Sequence, residues 1–254
     1  NIGISESQNR AVQISSSQYV AFLDCDDYLA PNALLKVRES IVEGNVPDYL
    51  FTDRYDVDAD GRIVRHAVYG GYPNIRPSVD HCANLLEGMV ASHLKTILRD
   101  SYIRCGGCSD IYSGVQDWDL ALKVASFGRF SYLPVPVYYH RVHSNSVTRS
   151  DSVSQFRKTN EVRRNHLERM YPRNESREPP VVLVNVPSTE TIIGLWRKGE
   201  SVVFDTSQIS TENIAIINYL REYNGFFDYV IVRRPEIMGA LIGYGWGADV
   251  FRWG

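Results

Sequence analysis

Tyr19-Val20-Ala21-Phe22-Leu23-Asp24-Cys25-Asp26-Asp27 is the stretch that decides how this chain is read. Five apolar residues in a row have the length of a strand, and their lack of alternation is the pattern of a strand buried on both faces in a parallel sheet. The run stops abruptly at three acids within four positions. Carboxylates at the end of such a strand sit where open α/β sheets bind ligands. An Asp-x-Asp spacing on an extended segment lets Asp24 and Asp26 reach one region from the same side. Hard oxygen ligands of this kind suit Mn²⁺ or Mg²⁺, which keep open positions for the oxygens of a diphosphate. Asp27 reads equally as a cap for the turn or helix that follows.

Outward from this stretch the chain alternates helical and extended segments. Residues 5–17 carry Ala11, Val12 and Ile14 as the apolar positions of a short helix, and residues 33–42 carry Leu34, Leu35, Val37 and Ile41 near helical spacing. Residues 48–53 read as a strand, Asp58-Ala59-Asp60-Gly61 as a hairpin turn, and residues 68–77 as a loop rich in Gly, Pro, Tyr and Asn. Strand-like apolarity returns over 89–98. A turn at Cys105-Gly106-Gly107-Cys108 leads to a helix over 118–127 that ends at Gly128. Pro134 and Pro136 keep residues 130–139 extended. A polar, basic helix covers 153–170, and the Pro, Arg, Asn, Glu and Ser of 173–180 read as a linker. After it, strands at 181–184, 201–204, 227–232 and 248–251 alternate with helices at 212–223 and 236–241, the pattern of a new parallel sheet. The organisation is therefore α/β, with domains at 1–172 and 181–254 joined by 173–180.

Composition narrows the function classes. A net charge of −3 gives no general attraction for nucleic acid. No apolar run approaches the roughly 18 residues that span a bilayer, and no basic-then-apolar leader opens the chain. Four cysteines, Cys25, Cys82, Cys105 and Cys108, are too few and too unevenly placed for a disulfide framework, so a reducing cytoplasm is the default. The opening Asn-Ile-Gly-Ile-Ser and the closing Val-Phe-Arg-Trp-Gly read like the interior of a longer polypeptide, so a fragment is expected.

Four motifs in order across residues 1–150 resemble family 2 glycosyltransferases of the GT-A fold. The first joins Asn1-x-Gly3, Asn9 and Tyr19 to Asp27 with Pro31 and Leu34, similar to the family's N-x-G and F-L-D-x-D-D-x-L-x-P-x-x-L. Gly106-Gly107 resembles its G-G-F-D turn, here with Cys108 in place of the aromatic and Asp110 displaced. Gly114-Val115-Gln116-Asp117-Trp118-Asp119-Leu120 is similar to G-x-[QE]-D-[YW]-D-L. Tyr138-Tyr139-His140-Arg141-Val142-His143 looks like Y-x-W-R-x-H, with His140 replacing the Trp.

The resemblance implies a GT-A mixed sheet lacking its first strands, and an inverting, metal-assisted transferase. Its donor would be a nucleotide-sugar and its acceptor a glycan or a lipid-linked hydroxyl, in polysaccharide biosynthesis. Carried over by position, Asp24 faces the donor ribose or diphosphate, and Asp26 is the direct metal ligand. Asp117 is the general base, with Asp119 the ordinary helix-start acid. Arg141 and His143 approach the diphosphate or the metal. Gly106, Gly107 and Trp118 lie toward the acceptor, although Trp118 and the tyrosines Tyr69 and Tyr72 suit buried packing equally. The family's base-binding opening strands do not precede Asn1, so the isolated chain is expected to transfer poorly.

Three other features have two readings each. Cys105-x-x-Cys108 lacks the second ligand pair of a zinc site, and the turn already explains its glycines. Arg157, Lys158, Arg163 and Arg164 suit peripheral contact with an anionic membrane, while interleaved Glu161 and Glu168 suit a solvated helix. Residues 181–254 read as the start of a second transferase domain or as an acceptor-binding accessory. Two rivals to an active transferase remain. One is a carbohydrate-binding or scaffolding module that keeps the fold, and the other is a metal-dependent nucleotidyltransferase.

Overall fold

The computed structural model describes residues 2–43, 46–68, 84–86, 88–142, 152–171, 181–183, 188–206, 212–223, 225–232, 234–244 and 251–252. The chain divides into two compact units, Asn1–Ser150 and Asp151–Gly254, and each has its own sheet.

The first unit runs α1 (Ile4–Ile14), β1 (Tyr19–Ala21), β2 (Tyr28–Leu29), α2 (Ala33–Glu43), β3 (Tyr49–Val57), β4 (Ile63–Ala67), β5 (His93–Leu98), α3 (Arg99–Arg104), a 3-10 turn at Asp110–Tyr112, α4 (Gln116–Ala125) and β6 (Phe130–Arg141). Its sheet has the order β1-β5-β3-β6-β2, with β4 also on β3. Among the described residues only β3 and β6 run parallel, and every other pairing is antiparallel, so the sheet is mixed.

β3 is the spine of this sheet. Tyr49, Leu50 and Thr52 pair with β5, and Arg54 to Val57 pair with β4, so two strands share successive halves of one edge. The other edge takes β6. Its register slips on either side of Asp53, between the pairs Thr52↔Leu133 and Arg54↔Tyr138, where β6 carries Pro134 and Pro136. Proline has no N–H to give the ladder, so the irregularity falls there. Tyr49 stacks on Phe130 at 4.6 Å and Phe51 on Tyr132 at 5.1 Å across the regular part. Val37, Leu50, Leu94 and Tyr138 form the core between α2 and the sheet, with Leu29, Ile41 and Leu133 packed against them. The hairpin after β3 closes as expected: the Gly61 N–H donates to the Asp58 carbonyl, and Gly61 takes φ +80°.

One expectation about the deciding stretch is corrected. Tyr19–Leu23 is not a doubly buried parallel strand. Its strand is Tyr19–Ala21, antiparallel to β5 and last in the strand order. Ala21 is exposed, and Leu23 is 48% exposed. An apolar run reports a preference for burial, but it carries no information about the direction or number of neighbouring strands.

The second unit runs α5 (Ser152–Met170), β7 (Val181–Leu183), α6 (Thr189–Arg197), β8 (Val202–Asp205), α7 (Asn213–Tyr223), β9 (Tyr229–Ile231), α8 (Pro235–Gly243) and β10 (Phe251–Arg252). The strands pair in the order β10-β9-β8-β7, all parallel, which is the sheet that the alternation after residue 180 called for. Helix α6 begins at Ser188, whose hydroxyl accepts the Thr191 N–H, the usual N-cap bond.

Two basic residues of α5, Arg163 and Arg164, are used inside this unit. Arg163 is buried. Arg164 pairs with Asp228 at 2.8 Å, donates to the Phe227 carbonyl and lies over the Trp196 ring. These two arginines therefore offer no free cationic face to a membrane. Among the described residues no helix is long and apolar enough to cross one.

Candidate functional site

The acidic loop is anchored first through backbone. The Phe22 N–H donates to the Lys95 carbonyl, extending the β1–β5 ladder to the edge of the acids. The loop then crosses to the end of β6. The phenol of Tyr138 accepts the Asp24 N–H at 3.2 Å and donates to Asp27 Oδ2 at 2.7 Å. The Arg141 N–H donates to Asp27 Oδ1 at 2.7 Å. Asp27 thus ties the loop to the C-terminal end of β6, a larger role than capping. Burial, and then the bond to Asp27, push the Tyr138 hydroxyl well above the usual phenol range, so it stays protonated to donate.

Arg141 braces the same loop. Its Nε donates to the Asp26 carbonyl, and its Nη1 donates to the Ala59 carbonyl at 3.0 Å. Expected at the diphosphate, its guanidinium instead binds backbone carbonyls of the acidic loop and the β3–β4 turn. His143 lies outside the described residues, as do Tyr69 and Tyr72.

Strand β5 supplies the groups beneath the loop. His93 and Lys95 are two apart, so they share one face of the strand, and both are buried. Asp24, Asp27 and His93 have ligand atoms within 4.8 Å of one another. Asp26, expected as the direct metal ligand, is not in that group. The Arg54 Nη1 approaches His93 Nδ1 at 3.0 Å. The same Nη1 lies 3.5 Å from His93 Nε2. Burial, with Arg54, Lys95 and His140 nearby, holds His93 neutral. The two carboxylates of the group are hard oxygen donors, which would suit Mn²⁺ or Mg²⁺.

Asp24 is the acid that the site perturbs. Burial of its carboxyl raises its pKa. Lys95 pulls it down, and Asp27, Asp117 and Asp26 push it up further. Crowded anions of this kind are what a cation would relieve.

Helix α4 brings Asp117 to the same place. Its Oδ2 lies 3.5 Å from Lys95 Nζ, and its Oδ1 accepts the Trp118 N–H at 2.9 Å. The neighbouring acid has a different life. Asp119 is 1% exposed and pairs with Lys123 at 2.6 Å, one turn along the helix. Trp118, expected toward the acceptor, is buried at 4% exposure, and its indole N–H donates to the Leu85 carbonyl at 2.6 Å. It is a packing group and presents no face to a sugar.

Gly106 and Gly107 take φ +82° and +67°. A Cβ on Gly107 would run into the Asn9 amide and the Tyr102 ring. Asn9 accepts from the Tyr102 hydroxyl and the Cys108 N–H, and it donates to the Cys108 carbonyl. The glycine turn is therefore the seat on which α1 is knitted to the chain before α4. Burial raises both Cys105 and Cys108, the latter to about 11. Their neutral thiols bond to the Tyr102 carbonyl and to Gln8, an environment that suits neither metal binding nor redox chemistry.

Three residues that sequence reasoning passed over, Arg54, His93 and Lys95, line this site. Arg54 Nε and Arg65 Nε each pair with the buried Asp56, at 2.8 and 2.7 Å, and His140 Nδ1 reaches the same carboxylate at 3.1 Å. A signal for two of them was present in His93-Leu94-Lys95-Thr96-Ile97-Leu98, where polar residues alternate inside an otherwise apolar strand.

Fold and site together define a mixed α/β protein whose acids gather where β1 and β6 end. Residues 1–106 match the family model described as Glycosyl transferase family 2. It is 23% identical over 148 residues to a chondroitin synthase of Pasteurella multocida strain Pm70, covering 58% of this chain and 15% of that protein. It is 24% identical over 148 residues to a hyaluronan synthase of Pasteurella multocida, covering 58% of this chain and 14% of that one. The chain thus spans a small part of the length of these relatives. The crystal structure of S. aureus TarS 1–349 aligns with a TM-score of 0.49 and 18% identity, over 65% of this chain and 45% of that one.

Proposed function

We propose that the chain is the catalytic part of a glycosyltransferase that moves a sugar from a nucleoside-diphosphate donor to a hydroxyl of a glycan or lipid-linked acceptor, with inversion. The observation that carries this reading is the meeting of Asp24 and Asp117 around Lys95, from segments far apart in sequence. The mixed sheet and the family 2 match support a GT-A fold, and the names of the two synthases point toward polysaccharide synthesis.

Asp117 accepts the proton of the acceptor hydroxyl as its oxygen attacks the anomeric carbon. The bond from that carbon to the diphosphate oxygen breaks on the opposite face, and the nucleoside diphosphate leaves with the electron pair. A divalent cation held by Asp24 and Asp27 would supply the positive charge that stabilises this leaving group.

The test pairs binding with transfer. In the 254-residue chain, Mn²⁺ together with one of a panel of nucleoside diphosphates should raise Tm by several degrees, and Asp24→Asn should abolish the shift. With radiolabelled nucleotide-sugars, Asp117→Asn should lower turnover by about 10²-fold or more while keeping the shift. Unchanged transfer in that variant removes Asp117 as the base. Binding of glycans with no nucleotide response would instead establish the scaffolding alternative.

A further inference from the structure

We infer that Lys95 is a positioning residue for Asp117, a role that rests on the reading of Asp117 as the base. Lys95 is 9% exposed and stands on β5, a strand paired on both sides. β5 pairs with β1 through Ala21↔Thr96 and with β3 through Leu50↔Thr96, and the Lys95 carbonyl itself receives the Phe22 N–H. The base of the side chain is therefore held from both sides.

The carboxylate it meets is held at both oxygens by different elements. Asp117 Oδ1 takes the N–H of Trp118, whose indole is locked to the Leu85 carbonyl. Oδ2 faces the Lys95 ammonium. One bond alone would leave the carboxylate free to turn about its own axis. Two anchors, one from α4 and one from β5, select a single orientation. The ammonium also offsets the negative charge that Asp24 and Asp117 bring near one another.

Lysine is suited to this because its three donors and long stem reach across from a neighbouring strand. Methionine at 95 would fill the same space without the charge. Misplacement of a reacting group by about an ångström is worth about 10²-fold in rate. The loss should therefore fall on turnover and leave donor binding alone.

Two variants, the wild type and one structure decide the matter: Lys95→Met and Lys95→Arg beside wild type, and a crystal structure of Lys95→Met. Expected are a fall of about 10²-fold in kcat for Lys95→Met, donor KM within threefold of wild type, and an unchanged Tm shift with Mn²⁺ and nucleoside diphosphate. Lys95→Arg should recover at least tenfold of the loss, and the crystal structure should show the Asp117 carboxylate turned from its place. Three results would each overturn the proposal. They are an unchanged kcat, a loss appearing in KM or in the nucleotide shift (which makes Lys95 a phosphate ligand), and an unmoved Asp117. If the wild type transfers from no donor, the nucleotide-dependent Tm shift tests the transferase reading, and the position of Asp117 in Lys95→Met still decides what Lys95 holds.

Discussion

Asp27 and Asp56 are two acids that also have structural duties, Asp27 within the acidic site and Asp56 beside it. Asp27 gives both oxygens to β6, through the Tyr138 hydroxyl and the Arg141 N–H. Asp56 is buried under Arg54, Arg65 and His140. Burial alone would raise its pKa, but the charge of Arg54, the bond to His140 and the charge of Arg65 outweigh it and bring it below the ordinary 3.8. A carboxylate with a lowered folded-state pKa adds stability above its unfolded value, and that stability is lost as pH falls through the folded value. Asp56→Asn should therefore cost about 3 kcal/mol at pH 7, because two guanidiniums lose their counter-charge. The gap from wild type should close below about pH 4. Urea denaturation at pH 7, 5 and 3.5 measures it, and a gap independent of pH would assign the stability to packing. From residue types alone Asp24, Asp26 and Asp27 look alike. Which one is tied down depends on what β6 brings to them, and a linear sequence does not carry that.

At the scale of elements, periodicity located most pieces and missed those whose reason is their neighbour. Helices α1, α2, α4 and α5 lie close to where spacing put them. Strand β4 escaped notice because Ile63 and Val64 are more than half exposed, and what makes it a strand is its pairing with β3. Helix α3 is six residues long, too short for a period to show. The glycine turn between α3 and α4 is legible as a turn, but its load is not. Gly107→Ala forces a side chain into φ +67° and displaces Asn9 from its bonds to Tyr102 and Cys108. Strain and lost bonds together should cost about 3 kcal/mol by chemical denaturation. Gly106→Ala has only the strained angle against it, since no atom stands near its Cβ position, and should cost about 1–2 kcal/mol. Equal losses at the two positions would deny Asn9 its part.

The whole chain divides ahead of α5, and that helix is fastened inside the second unit by Arg164 to Asp228, to the Phe227 carbonyl and over Trp196. Residues 151–254 expressed alone should melt cooperatively, whereas 173–254, cut at the linker that composition marks, should lose cooperativity. Circular dichroism melts of the two fragments decide it, and equal melts would free α5 from the second unit. Composition changes mark where a chain turns polar, but a domain ends where contacts stop crossing, and these are different quantities. Read alone, the sequence determined the α/β alternation and the two sheets and pointed to the acids Asp24 and Asp117, because strand runs, helical spacing and motif order are local properties of the chain. Only the tertiary structure decided that β1 is an antiparallel edge, that Trp118 and the glycine turn are packing, and that Lys95 and His93 stand under the acids. Each of those depends on which distant segment folds against the residue, and that is settled by burial and pairing across the sheet.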